Sequence, residues 1–423
     1  MLLLSTFRNA FLICLTSFGC LASASPPGFE ALQDSDWPWW RGPFRNGVAI
    51  ASPDVPTEWS DQKNIAWSVD IPGRGNGSPI AVGNRVYLAT CDEAAGSQSV
   101  LCLDRATGKK VWDKVVHATG AMRKNERSTG ASTTPASDGR RIYVNFANSG
   151  AVFTTALDLE GKQLWQIKIC DYSIHQGYGS SPALFEKFVY VTVDTKGGGA
   201  VAALEQSTGD IIWKRDRPSD PNYPSPVILN IAGRDQLLLT GCNLISSFEP
   251  RTGKTIWEVE GATTECVTST VTDGKHVYSS GGYPRNHISA VLADGSKNIV
   301  WQNDERVYVP SMICHDGHLY AVLDAGIAAC WKSDTGEEKW KTRLGGNFSA
   351  SLVQVGDRIY ASNESGETSI FRATPDKLDL VSKNQLGDET FATPAICGNQ
   401  ILIRYAVLVD GKRQEKLACI MKL

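Results

Sequence analysis

A short motif that ends in tryptophan recurs along the chain and restricts its fold more than any other feature. In each clear copy an apolar strand runs into a Thr-Gly turn, and a tryptophan follows four residues after the glycine. Glycine supplies the positive φ that such a tight turn demands. Units of this size cannot bury their apolar faces alone, so the repetition predicts an array of similar β-sheets. The four clear and two looser copies occupy residues 104–112, 205–213, 249–257, 332–340, 158–165 and 294–301.

A second motif alternates with the first and begins with a serine or threonine, which proline follows in several copies. It continues as a short strand, a tight turn and a strand rich in β-branched and aromatic residues. Together the two motifs give four strands per repeat. The eight copies of this second motif begin at Ser78, Thr134, Ser181, Ser225, Ser269, Ser311, Ser351 and Thr393.

The spacing of the repeats predicts a closed ring. The repeat tryptophans are Trp67, Trp112, Trp165, Trp213, Trp257, Trp301 and Trp340, with Leu380-Val381 in the eighth place. Steps of 39 to 53 residues, each with four strands, are typical of propeller blades. The pattern starts with a lone strand around Trp67 and ends with three strands that lack a fourth, so pairing them removes an exposed edge. We predict an all-β fold, an eight-bladed β-propeller of four-stranded antiparallel blades whose last blade is closed by the Trp67 strand.

The tryptophan repeats resemble the tryptophan-docking repeats of quinoprotein (PQQ-like) dehydrogenases and of the compact BamB-like propellers. The resemblance covers about residues 58–423 and implies that each tryptophan is a structural residue packed against the neighbouring blade. Upstream, Trp37 to Gly47 begins Trp-Pro-Trp-Trp-Arg-Gly-Pro and resembles the leader of a large group of secreted bacterial proteins with such propellers. We expect residues 25–57 to form a leader that packs on one propeller face. The fold alone does not specify a function.

The first 24 residues have the features of a signal peptide. A basic residue precedes an apolar run over residues 11–21, and Ala22-Ser23-Ala24 fits a cleavage site of small residues. We expect cleavage after Ala24 and a periplasmic or secreted mature protein, with lipid attachment at Cys20 as the alternative. No later segment is apolar over enough residues to span a bilayer.

Charge and cysteine content exclude several classes of protein. With 42 basic and 45 acidic residues, the net charge of −3 provides no attraction to nucleic acid or to an anionic membrane. Nine cysteines follow the signal peptide, and an odd number without regular spacing is not a disulfide framework. Cys102 and Cys330 each stand ten residues before a repeat tryptophan, where other repeats have Ala or Ser, which predicts small buried residues. A bridge between Cys91 and Cys102 is left open.

Loop variability indicates which face of the ring carries function. Counting strands from the axis outwards, the 1–2 and 3–4 turns are short and uniform, whereas the interblade links and 2–3 loops on the opposite face vary greatly. Variable loops on a rigid scaffold are the usual location of binding residues. Residues just before an innermost strand should line the mouth of the channel, where Arg, Tyr, Asn and His suit an anionic or sugar-like ligand. The candidate binding residues are Arg74, Asn76, Arg123, Lys124, Arg127, His175, Tyr178, Tyr223, Tyr283, Arg285, Asn286, Tyr308 and Asn347.

Two classes of function remain open. The resemblance allows a PQQ- and calcium-dependent alcohol or sugar dehydrogenase, in which adjacent cysteines and a tryptophan flank the cofactor and Glu, Asn and Asp hold the calcium. This sequence contains no Cys-Cys pair and no evident calcium set, and His315 and His318 fall in a turn on the uniform face. We therefore expect a non-catalytic, monomeric ring without cofactor or metal that binds an envelope protein or a polar, carbohydrate-like ligand.

Overall fold

The computed structural model describes residues 29, 31–52, 54–123 and 127–423. These residues form β-strands joined by turns and loops, and none of them lies in an α-helix. Within the same ranges, no helical segment is present that could cross a membrane. The strands in chain order are β1 (Val48–Ala49), β2 (Ile65–Ile71), β3 (Ile80–Val82), β4 (Arg85–Asp92), β5 (Ser97–Asp104), β6 (Lys110–His117), β7 (Ala136–Ser137), β8 (Arg141–Asn148), β9 (Ala151–Asp158), β10 (Gln163–Asp171), β11 (Ala183–Phe185), β12 (Phe188–Val193), β13 (Gly199–Glu205), β14 (Ile211–Arg217), β15 (Val227–Ile231), β16 (Arg234–Gly241), β17 (Leu244–Phe248), β18 (Thr255–Glu260), β19 (Val271–Thr272), β20 (His276–Gly281), β21 (His287–Leu292), β22 (Ile299–Asn303), β23 (Ile313–His315), β24 (His318–Val322), β25 (Ile327–Lys332), β26 (Glu338–Arg343), β27 (Val353–Val355), β28 (Arg358–Ser362), β29 (Glu367–Arg372), β30 (Asp379–Gln385), β31 (Ala395–Cys397), β32 (Gln400–Val409) and β33 (Lys412–Ile420).

Eight antiparallel sheets form the blades of a propeller, as predicted. Blades 1 to 7 are built from consecutive groups of four strands, from β3–β6 to β27–β30. Blade 8 has the order β2-β33-β32-β31, and Trp67 of β2 pairs in register with Cys419 of β33. The strand β2 therefore completes the last blade, which confirms the predicted closure by the Trp67 strand. The short innermost strands contact those of neighbouring blades and surround the axis, as β3 does with β31.

The repeat tryptophans join each blade to the next. The indole N–H of Trp213 donates to the carbonyl of Pro250 at 2.7 Å, and that of Trp112 donates to the carbonyl of Leu159 at 2.9 Å. In both cases the acceptor lies in the 3–4 turn of the following blade. The glycine of that turn lies against the indole ring of the preceding blade. The constant spacing between glycine and tryptophan in the repeats therefore reflects packing between adjacent blades. Trp257 differs, because its indole N–H donates to Oε1 of Gln236 in its own blade.

In blade 7 the position that corresponds to the repeat tryptophan is occupied by Ser382. The prediction that Leu380-Val381 occupies this position is wrong. Ser382 pairs with Ile370, the register that tryptophan has in the other blades, while Leu380 and Val381 are exposed. The missing indole is replaced by residues 55–59, which precede β2. Trp59 is buried in the cluster that contains Tyr360 and Ile370, and the Tyr360 hydroxyl donates to the carbonyl of Pro56.

The cysteines on the described strands are unpaired thiols. Cys91 stands opposite Gln98 and Cys102 stands opposite Tyr87, so the bridge left open between these two cysteines does not form. Cys102 and Cys330 are fully buried opposite Trp112 and Trp340, where only a small side chain fits. Burial raises the pKa of the Cys102 thiol to about 12, so this group is neutral and unreactive.

The segment before β2 enters the axial channel from the face of the 1–2 turns. Trp37 pairs with Ala81 of β3 through two backbone hydrogen bonds, and β1 adds a parallel fifth strand to β27 of blade 7. The carbonyl of Pro38 accepts a hydrogen bond from the N–H of Ser137 in β7. The segment thus contacts innermost strands on several sides of the ring. The predicted signal peptide lies outside the described residues, and the exact limits of the leader stay a prediction.

Candidate functional site

A belt of hydroxyl groups links the blades around the axis. It is formed by the serine or threonine that opens each second motif, because its backbone N–H donates to the hydroxyl of the corresponding residue in the next blade. Between Ser225 and Ser269 the pattern changes, and the indole N–H of Trp40 donates to Oγ of Ser269 at 2.9 Å. The belt is also open between Thr393 and Ser78, because the buried Oγ of Ser78 has no hydrogen-bond partner among the described residues. The belt runs through Ser78 to Thr134, Thr134 to Ser181, Ser181 to Ser225, Ser269 to Ser311, Ser311 to Ser351 and Ser351 to Thr393, at 2.9 to 3.1 Å.

An axial pocket of about 520 Å³ lies directly above this belt. All eight blades contribute to its wall, and the side chain of Trp40 lines its base. The pocket opens on the face of the interblade links, which is the face that loop variability singled out. Its size falls in the range of pockets that enclose small ligands. The wall residues two positions before each belt hydroxyl are Asn76, Ser132, Gly179, Tyr223, Val267, Val309, Ser349 and Phe391.

Aromatic side chains give the pocket apolar surfaces in fixed positions. Tyr178 is buried and its hydroxyl donates to the carbonyl of Thr192 at 3.0 Å. The Tyr223 hydroxyl is hydrogen-bonded to Nδ1 of His175 at 3.0 Å, and Phe391 and Tyr308 line the opposite wall segments. Rings that are held by their own hydrogen bonds lose little conformational entropy when a ligand packs against them. The walls can therefore receive a ligand with an apolar face.

Charged groups at the pocket mouth occur in pairs. Arg127 lies 3.4 Å from Glu364, and Arg306 lies 3.9 Å from Asp324 while its guanidinium stacks over Tyr308. Burial raises the pKa of the Asp324 carboxyl, although the backbone N–H groups of residues 308 and 309 donate to it. The mouth thus offers both signs of charge in near balance.

Asn76 contributes a side-chain oxygen that the described residues leave without a hydrogen bond. Its side-chain amide donates to the carbonyl of Arg127 at 2.7 Å. Its buried Oδ1 has no hydrogen-bond partner among the residues that the structure describes. A buried acceptor left without a donor is costly, so a ligand hydroxyl or N–H at this place would be favourable.

The structure brings five of the predicted binding residues together in the pocket wall. They are Asn76, Arg127, Tyr178, Tyr223 and Tyr308. His175 lies behind one of them and orients its hydroxyl. In the sequence, all of these residues lie in the interblade links that lead into innermost strands.

The other predicted residues lie elsewhere on the same face. Arg123 and Arg74 both approach Glu93, the first through two hydrogen bonds and the second at 3.9 Å. Tyr283 and Asn347 are exposed on the rim. Arg285 and Asn286 line a separate groove between blades 4 and 5. Lys124 lies outside the described residues.

Several wall residues were not singled out in the sequence. The leader motif predicts only a packing role for Trp40, and no motif points to Arg306, Asp324 or Phe391. Phe391 could have been identified from its place in the repeat, because in every blade the residue two positions before the belt hydroxyl lines the pocket. Asp324 had no such signal, since it enters from a 2–3 loop.

The groove between blades 4 and 5 contains a buried histidine that makes stability depend on pH. His287 is 8% exposed, and burial lowers its pKa to about 4, below the value of about 6.5 expected in the unfolded chain. Between pH 6.5 and 4 the histidine is protonated in the unfolded chain but neutral in the folded protein. Neutral His287 therefore contributes its full stability above pH 6.5, and this contribution is lost as the pH falls towards 4. We expect wild type to lose roughly 2–3 kcal/mol more than His287→Gln between pH 7 and pH 4.5 in urea unfolding. Equal losses in both proteins would contradict this assignment.

The fold and the site define an eight-bladed propeller with tryptophan-docking repeats, in which the leader closes the base of an axial pocket. A family model described as outer membrane protein assembly factor BamB matches residues 48–177 and 96–342, and the chain belongs to this family. The chain is 28% identical over 216 residues to the outer membrane protein assembly factor BamB of Burkholderia pseudomallei, over 48% of this chain and 49% of that protein. It is 26% identical over 232 residues to a polyvinylalcohol dehydrogenase of Sphingopyxis sp., over 50% of this chain and 33% of that enzyme. The matches thus span half or less of these relatives.

Solved structures of both kinds share the fold. BamB from Moraxella catarrhalis matches with a TM-score of 0.60 and 12% identity, over 84% of this chain and 96% of that one. A europium-containing methanol dehydrogenase matches with a TM-score of 0.65 and 11% identity, over 92% of this chain and 99% of that one. At such identity the likeness concerns the fold alone. Proteins similar to this chain are thus named both as an assembly factor and as dehydrogenases, and the shared fold does not distinguish between these functions.

The donor set in the pocket does not fit a calcium ion beside a quinone. Within the described ranges, no group of three or more His, Cys, Asp or Glu side chains is placed to hold a metal. Asp324 is the carboxylate in the pocket wall, and it already accepts two backbone hydrogen bonds and faces Arg306. Calcium requires six to eight oxygen ligands, usually with several carboxylates.

Proposed function

We propose that this protein is a non-catalytic binding protein that takes a small polar, carbohydrate-like ligand into the axial pocket. The observation that carries the proposal is the pocket itself, about 520 Å³ in volume, with wall residues from all eight blades and Trp40 at its base. Aromatic rings combined with a few convergent polar groups are typical of sites for such ligands. The predicted signal peptide and the family description both favour a location in the cell envelope.

The wall chemistry supports a sugar-like ligand in particular. Tyr308 and Phe391 offer rings on which the apolar face of a pyranose can pack. Asn76 offers an unsatisfied acceptor, and Arg127 and Arg306 offer donors at the mouth. Hydroxyl groups of a sugar can act as donor and acceptor, so one ligand can satisfy all of these groups.

Truncation of the aromatic wall provides the test. We expect Phe391→Ala and Tyr308→Ala each to weaken ligand binding by about tenfold or more, since each removes packing area from a desolvated pocket. Binding would be measured by calorimetric titration with neutral and uronic-acid mono-, di- and trisaccharides. Leu408→Ala is the matched control, because this side chain is 55% exposed on the hairpin of blade 8, outside the pocket. If no saccharide binds, or if binding survives both wall substitutions, the proposal fails.

A second candidate is docking of a protein segment on the same face. Leu408 and Val409 at the tip of the β32–β33 hairpin and Tyr283 on the blade 5 loop are each 55% exposed. Exposed apolar side chains at a loop-bearing face are typical of protein contacts, and the family description also favours a protein partner. Loss of a partner in Leu408→Asp but not in Phe391→Ala would favour this candidate over the pocket.

A PQQ- and calcium-dependent dehydrogenase remains the enzymatic alternative, and the pocket chemistry argues against it. The wall carboxylate is already engaged with Arg306 and two backbone N–H groups. Co-purification of a quinone together with calcium would support the enzyme instead.

A further inference from the structure

A buried cation lies beneath the base of the axial pocket. Arg41 is 1% exposed, and its guanidinium donates to the carbonyl oxygens of Leu352 at 3.1 Å, Met312 at 2.5 Å and Asn46 at 2.6 Å. No carboxylate among the described residues lies within ion-pair distance of it. Burial lowers the pKa of Arg41 to about 9, which still leaves the group protonated at neutral pH. The charge is therefore balanced only by the partial charges of backbone carbonyls.

The position of this charge relates it to the pocket. Arg41 follows directly after Trp40, whose indole lines the pocket base. Its acceptors Met312 and Leu352 follow Ser311 and Ser351, which belong to the hydroxyl belt and line the pocket. The guanidinium is thus one layer below the ligand volume, in surroundings where water does not screen it effectively.

The charges at the mouth do not compensate for Arg41. Arg127 is paired with Glu364 and Arg306 with Asp324, so each mouth cation has its own carboxylate. Glu265 adds one further carboxylate near the mouth, 3.5 Å from His175. Among the described residues, the two buried guanidinium groups near the base, Arg41 and Arg45, therefore still leave an excess of positive charge along the axis. A second guanidinium in the channel, Arg45, donates to the carbonyl of Leu184 and lies over the ring of Trp39 at 4.4 Å.

We propose that the pocket selects an anionic ligand of the uronic-acid class, and that Arg41 is the positioning residue that confers this selectivity. The inference rests on the proposed function and adds the charge of the ligand to it. The leader then has a role in recognition beyond packing, because it carries the selecting charge into the axis. A carboxylate in the pocket would supply the negative charge that the protein itself does not place near Arg41.

Digalacturonate and its dimethyl ester provide a matched pair of probes that differ in charge. We expect wild type to bind the acid about tenfold or more tightly than the ester. Arg41→Gln should reduce this preference to about threefold or less, whereas Arg41→Lys should retain it. Thermal unfolding of each variant would establish that the ring and leader are intact.

Salt dependence keeps the inference testable even if Arg41→Gln does not fold. A preference due to a buried charge should persist between 0.05 and 0.5 M NaCl, whereas one due to exposed Arg127 or Arg306 should disappear. Disappearance at high salt, or a larger loss in Arg306→Gln than in Arg41→Gln, would overturn the role of Arg41. Equal binding of acid and ester would refute the charge selectivity and leave the binding function standing, whereas absence of binding by either probe and by neutral saccharides would refute both.

Discussion

Gly253→Ala should destabilise the protein by about 2–5 kcal/mol, against about 1–2 kcal/mol for Gly233→Ala in the same blade. Both glycines have left-handed backbone, with φ of +70° and +75°, so both substitutions incur the same backbone cost. A Cβ at residue 253 would lie 2.6 Å from Cε3 of Trp213, whereas one at residue 233 would meet no atom within 4 Å. The difference of about 1–3 kcal/mol is the cost of overpacking against the indole. Denaturant unfolding of the two variants measures it.

The Trp213→Ala background provides the control for this prediction. Removing the indole should cost several kcal/mol by itself. In this background Gly253→Ala and Gly233→Ala should lower the free energy of unfolding by the same further amount, because the indole that a Cβ at residue 253 would meet is absent. Equal effects of the two glycine substitutions in the wild-type background would show that the indole contact does not hold adjacent blades together.

Arg217→Met should destabilise the protein by about 3–5 kcal/mol, because it leaves the Asp194 carboxylate buried without a partner. Arg217 Nε and Nη2 donate to the two oxygens of Asp194 at 2.9 and 3.0 Å, and the two side chains are 3% and 2% exposed. The exposed pair of Lys63 and Glu58 provides the contrast, and Lys63→Met should leave the unfolding midpoint almost unchanged. Chemical unfolding at neutral pH would compare the two.

A double variant separates loss of the ion pair from loss of packing. Arg217→Met combined with Asp194→Leu removes both charges and should recover most of the stability lost in Arg217→Met alone. If the double variant is as unstable as the single one, the cost arises from the shape of the arginine side chain, and the electrostatic explanation is wrong.

The architecture could be predicted because each blade repeats one packing solution. Tight turns with glycine and the tryptophans that follow them recur in most blades, so blade number, strand order and closure at Trp67 followed from their spacing. The failure at blade 7 has a physical reason. Ser382 and its neighbours do not carry the missing ring, and Trp59, which replaces it, comes from a segment more than 300 residues earlier. A pattern within one repeat cannot reveal a side chain supplied by another part of the chain.

The candidate site was predictable only where it follows from the repeat. Asn76, Tyr223 and Tyr308 were found because residues before an innermost strand face the axis. Arg74 and Arg123 share that location in sequence, yet both approach Glu93 away from the pocket. The direction of a loop side chain depends on its nearest charge partner, which the sequence does not specify. The position of Trp40 at the base of the pocket depends on how the leader enters the axial channel. This is a long-range arrangement, which no local sequence pattern encodes.

The pairing of β2 with β33 has a consequence for how the protein forms. Trp67 and Cys419, which are 352 residues apart in the sequence, must meet before blade 8 is complete. Contacts of such large sequence separation form slowly, since the loop entropy is lost before the contact is gained. During synthesis β2 stays without its neighbour until β33 (Lys412–Ile420) emerges. Until then β2 has an open edge to which other chains could add.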